Sequence, residues 1–198
     1  MLAKPLQPLS ASSQAPHLQC SHQTLAALIE IASAGLSRHF PNASGDTLDV
    51  ELVLDALRML RPKVAEIETL QGVLHIVHGR WDDALVVLRD VIDVSPSFSY
   101  AKAMVAYCLA SKGDAEWRRW ADDAREAGAT PETRTLIRAL EVRADLQDAR
   151  ANHRGGEFVM PESYREFEEA REGKVTKSRL SSDLPMDMSA ASFGFLRA

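Results

Sequence analysis

Cysteine is scarce in this 198-residue chain, and Cys20 and Cys108 lie in unrelated contexts. Neither belongs to a CxxC pair or to a spacing typical of zinc ligands, so the sequence indicates neither a disulfide framework nor a metal site. Aromatic residues make up 6% of the chain. No apolar run approaches the roughly 18 residues needed to span a bilayer, and no transmembrane segment is expected. The mild net charge of −5 argues against nucleic acid as a partner.

Motifs for catalysis are also missing. The sequence contains no Gly-rich phosphate loop, nucleophile elbow or HExxH motif. His75 and His78 share a helix face and could ligate a metal. No second pair or acidic third ligand lies nearby in sequence, although Cys108 occupies a comparable place in the next repeat, and a structural role is favoured. The consecutive carboxylates Asp82-Asp83 and Asp122-Asp123 do not face each other on a helix and are predicted to be solvated. We therefore expect no enzyme, no catalytic residues and no cofactor.

The segment Trp117-Arg118-Arg119-Trp120 could be read as an aromatic and basic patch for a phosphate or RNA. Neighbouring acidic residues cancel its charge, and both tryptophans share a face with Ala121. Core packing therefore explains this segment better.

Helical periodicity dominates what the sequence does contain. Leu70 to Arg89 indicates two short amphipathic helices, with Gly79 as a left-handed helix end between them. Neither helix can bury its apolar stripe alone. The apolar spacing of the second helix recurs in the helix that begins at Trp117. This spacing predicts six buried residues: Trp81, Ala84, Leu85, Leu88, Trp117 and Trp120.

A repeat supplies the packing partners. Gly45, Gly79 and Gly113 recur every 34 residues, and Pro62 and Pro96 have the same spacing. This period with helix–turn–helix content is the tetratricopeptide spacing. The repeat is degenerate, because the apolar helix face that starts at Trp117 follows the one that starts at Trp81 by two residues more than the 34-residue period. The predicted fold is all-α, a tetratricopeptide-like stack of about three helical hairpins plus a C-terminal capping helix.

Seven helices are expected between residues 21 and 152. Leu52, Ala56 and Leu60 mark the second, and Thr130-Pro131-Glu132 starts the last with a cap and an N1 proline. Residues 1–20 are rich in Pro, Ser and Gln, and we expect them to be disordered. Residues 153–198 are predicted to form a linker, a short charged helix and a flexible tail.

Four blocks of sequence, at 54–62, 70–90, 95–109 and 113–122, resemble the HrpK-type family of bacterial type III secretion proteins. The resemblance covers roughly residues 50–140. It implies a tetratricopeptide-like component encoded with the Hrp secretion apparatus, which assembles or operates that machine through protein contacts.

Three functions follow from these observations. The first is a non-enzymatic accessory protein that binds a component of the type III secretion apparatus. The others are a cytoplasmic chaperone for an exported, translocator-type substrate, and a tetratricopeptide adaptor unrelated to secretion. A homo-oligomer remains open. Because no secretory signal is found, the cytoplasm is the default compartment, with the periplasm beside the apparatus as the alternative.

A docking surface is predicted from the repeat alignment. The first helix of each hairpin lines the concave side of such stacks, where a peptide or helix binds. The residues expected there are Val73, Ile76, Val77, Tyr100, Ala103 and Tyr107. The alternative is that the degenerate phase of the repeat turns part of this strip into core.

Overall fold

The computed structural model describes residues 20–41 and 47–171. Eight helices and no strand occur in these ranges: α1 (His22–His39), α2 (Leu48–Leu60), α3 (Ala65–Val77), α4 (Trp81–Val94), α5 (Ser99–Lys112), α6 (Trp117–Glu126), α7 (Pro131–Asn152) and α8 (162–171). The prediction of an all-α, tetratricopeptide-like fold is confirmed. Gly45, and the predicted disorder of the N-terminal segment and of the tail, lie outside the described residues.

The chain divides into two compact units, one ending at Gly79 and the other beginning at Arg80. In the first unit, α1 packs against α2 and α3, and α2 packs against α3. Leu25, Ile29, Ala32 and Leu36 form the buried face of α1. Gly35 lets α2 approach closely, since a Cβ there would lie 2.9 Å from Val50 Cγ2.

Helix α2 forms where the sequence indicates, but Leu52, Ala56 and Leu60, from which it was predicted, do not form its buried face. Leu54 and Leu57 are fully buried, whereas Leu52 and Ala56 are exposed. The helix carries apolar residues on two opposite faces, and tertiary packing selects one of them.

In the second unit, α5 lies at the centre and packs against α4, α6 and α7. Nine of its fourteen residues are buried, and they lie on every side of the helix. A helix that is apolar all round is a core helix. α7 also packs on α6, and Arg138 of α7 pairs with Glu166 of α8 at 3.0 Å.

Local sequence sets the helix ends. Gly79 and Gly113 have φ values of +70° and +75°, so the left-handed helix end predicted at Gly79 is confirmed. The Thr130 hydroxyl accepts a hydrogen bond from the Thr133 amide at 3.3 Å, and Pro131 occupies the first turn. The predicted cap of α7 is therefore confirmed.

The burial prediction for six residues is correct for four of them. Ala84, Leu85, Leu88 and Trp117 are buried. Trp81 and Trp120 are only half-buried. Trp81 stands at the very start of α4, where it contacts the Tyr107 ring at a centroid distance of 6.2 Å and leaves part of the indole in solvent.

Candidate partner-binding site

Three of the predicted docking residues lie in α3 of the first unit. Val73, Ile76 and Val77 are 5%, 0% and 3% exposed. The same helix also buries Ile67, Leu70 and Leu74. α3 therefore has no separate groove-facing side that is open to solvent.

The other three predicted docking residues lie in α5 of the second unit. Ala103 and Tyr107 are buried, and Tyr100 is half-buried. Burial raises the pKa of both tyrosines, and a hydrogen bond with Ser111 partly offsets this for Tyr107. The partner-binding role of all six residues stays a prediction, and at the buried positions a substitution will also affect stability.

His78 has a structural explanation in the first unit. Its Nε2 lies 2.8 Å from Thr47 Oγ1 and 3.2 Å from Glu51 Oε1. In a proton relay the hydroxyl and the carboxylate would contact opposite ring nitrogens. Both groups contact the same nitrogen here, so the cluster is not arranged as a relay. It links the end of α3 to the start of α2.

The histidine pair gains no further ligands. Within residues 20–41 and 47–171, no group of three or more His, Cys, Asp or Glu side chains is placed to hold a metal ion. Cys108 is buried, and burial raises the pKa of its thiol to about 12, which leaves the reactive thiolate unpopulated near neutral pH.

The Trp-Arg-Arg-Trp segment forms the first turn of α6. The Arg118 guanidinium lies 4.8 Å from the centre of the buried Trp117 ring, and that of Arg119 lies 5.8 Å from Trp120. These are cation–π contacts between neighbouring residues of the helix. Asp122 pairs with Arg125 at 2.9 Å, and Asp82 pairs with Lys112, as expected of solvated surface charges.

A cleft of about 340 Å³ lies beside α6 and α7 and includes Trp117, Ala121 and Ala144 in its wall. Its charged residues have both signs. Arg138 and Glu141 lie on α7, and Glu141 pairs with Arg125 of α6. The hydrogen bond to Glu141 raises the pKa of Arg125. Because Asp122, Arg138 and Glu141 are already paired, the cleft has no concentration of unpaired charge of one sign.

Sequence reasoning missed an exposed apolar stripe on α2. Leu48, Leu52 and Met59 are 54%, 60% and 80% exposed. The signal was present as two opposite apolar faces on one helix, but periodicity does not say which face is buried. A concentration of exposed apolar side chains is typical of an interaction surface.

No helix in the described part of the chain is long and apolar enough to cross a membrane. No curated protein and no solved structure gives a significant match. A family model described as bacterial type III secretion protein (HrpB1_HrpK) matches residues 16–146, about two thirds of the chain. The match confirms the resemblance and extends it beyond the expected residues 50–140 to include α1. The chain belongs to the HrpB1_HrpK family of bacterial type III secretion proteins.

Proposed function

We propose that this protein is a non-enzymatic accessory of type III secretion that acts by binding another protein of the secretion apparatus. The observation that carries the proposal is the family match, which includes helices of both compact units. The exposed apolar stripe on α2 supports it, because removing exposed apolar surface from water on binding a partner lowers the free energy of the system.

The predicted strip on α5 offers a second point of contact. Tyr100 is its half-buried member, and tyrosine is a frequent hot-spot residue because it combines apolar area with a hydroxyl. Tyr100→Ala is expected to weaken partner binding by about 1–2 kcal/mol. Tyr107→Ala should also lower the unfolding midpoint, because the Tyr107 ring contacts Trp81.

Cross-linking followed by affinity capture from a secretion-competent bacterium tests the proposal. The tagged full-length chain is expected to capture a structural component of the apparatus, and a strain without that component serves as the control. Capture of an exported translocator instead would favour the chaperone function. Capture of neither class would refute both.

Secretion assays and cell fractionation complete the test. Deletion of the protein should reduce export of all type III substrates if it serves the apparatus, but of one substrate if it is a dedicated chaperone. Fractionation of the same cells identifies the compartment in which the captured complex forms.

A further inference from the structure

The outward face of α2 carries the densest group of exposed large apolar side chains on any helix in the described ranges. Leu48, Leu52 and Met59 are spaced i, i+4 and i+11, which places them along one line of the helix. The opposite side, with Leu54 and Leu57, is fully buried in the first unit. The stripe is therefore a second apolar face of a helix that is already anchored.

Carboxylates frame this stripe. Asp49 and Asp55 are exposed, and Asp55 lies between Leu52 and Met59 on the same face, whereas the half-buried Glu51 already contacts His78. The one basic residue within α2, Arg58, already pairs with Glu68 at 3.3 Å. The surface thus combines apolar side chains with an excess of negative charge.

We propose that this face of α2 binds a basic amphipathic helix of a partner protein. Apolar side chains at every third or fourth position of that helix pack against Leu48, Leu52 and Met59, and a Lys or Arg pairs with Asp55. A single polar residue in an apolar seam sets the register of two paired helices. The inference rests on the proposed function and specifies the chemistry of the partner.

A second copy of the chain fits this face less well. If two α2 helices pair antiparallel with Leu48 opposite Met59, Asp55 of each copy lies against Leu52 of the other. A carboxylate would then be buried without a partner, which is costly. Parallel pairing sets the two Asp55 carboxylates side by side, where they repel.

Two fluorescent 14-residue peptides test the proposal, and anisotropy measures their binding to the full chain. Both carry leucines at heptad a and d positions, and they differ only in having Lys or Glu at the flanking positions. The Lys peptide is expected to bind at least tenfold more tightly than the Glu peptide. Leu52→Ser should weaken the Lys peptide at least tenfold, and Asp55→Lys should reverse the preference.

Matched controls lie on α4. Val86 is 63% exposed and Asp90 is exposed, so Val86→Ser and Asp90→Lys make the same kinds of change, apolar to polar and acidic to basic, at another site. They should leave both affinities within twofold. Unfolding midpoints of the α2 variants should match that of the parent, because surface substitutions rarely change stability. A large drop would show that the stripe is packed, and would overturn the proposal.

Other results would also overturn it. These are equal binding of both peptides, retention of binding by Leu52→Ser, or a dimer in sedimentation that Leu52→Ser abolishes. Affinity capture separates this inference from the proposed function. If Asp55→Lys captures the apparatus component as well as the parent does, the α2 surface is wrong but the proposed function stands. If the parent captures no apparatus component, the proposed function fails.

Discussion

The close approach of α1 and α2 predicts an unusual effect of adding one methyl group. Gly35 lies inside α1, where alanine is favoured over glycine by about 1 kcal/mol. At this position, however, the new Cβ would lie 2.9 Å from Val50 Cγ2. Valine is stiff about χ1 and cannot rotate away freely, and overpacking of this kind typically costs about 1–3 kcal/mol. Gly35→Ala should therefore destabilise the protein by about 1 kcal/mol.

Without the Val50 side chain, Gly35→Ala is expected to change the free energy of unfolding in the opposite direction. In a Val50→Ala background the clash disappears, and Gly35→Ala should stabilise by about 1 kcal/mol through helix propensity alone. The cycle of the four proteins would then give a coupling of about 2 kcal/mol. Urea unfolding followed by far-ultraviolet circular dichroism measures each free energy. Equal stabilisation by Gly35→Ala in both backgrounds would show that the two helices do not meet at this point.

Three further predictions concern the second unit. Trp81→Ala should cost about 2 kcal/mol because the indole is half-buried, less than the about 3–5 kcal/mol expected for buried Trp117; equal losses in urea unfolding would contradict this. Burial raises the Cys108 pKa from 9.0 to about 12, so its stabilising contribution is complete below pH 9 and is lost as the pH rises towards 12. Relative to Cys108→Ala, the parent should lose about 2–3 kcal/mol between pH 8 and pH 11, and parallel stability curves would refute the burial argument. Thr130→Ala should cost about 1 kcal/mol by removing the cap of α7, and Thr130→Ser should retain most of the stability.

Helix positions could be predicted from the sequence because their ends depend on local chemistry. Gly79 ends α3 with a positive φ, and Thr130 with Pro131 starts α7. These signals act within a few residues and do not depend on the rest of the fold. Together with the apolar periodicity of each segment, such signals predict the seven helices found between residues 21 and 152.

Which face of each helix is buried was harder to predict. α2 has Leu48, Leu52 and Met59 on one side and Leu54 and Leu57 on the other. Both sets satisfy the helical period, and only contacts with distant residues decide between them. The same limit applies to α3 and α5, whose apolar residues surround the helix, so periodicity could not separate a groove from a core.

The central place of α5 has a consequence for the nascent chain. α4 is synthesised first, but α6 and α7 complete the cover of α5 only after residue 152 has been added. At about 5–20 residues per second, the 40 residues after Lys112 take roughly 2–8 s to make. Apolar sides of α5 are exposed during this interval. Chains truncated before α7 should therefore aggregate or bind cellular chaperones, whereas chains ending after Asn152 should not.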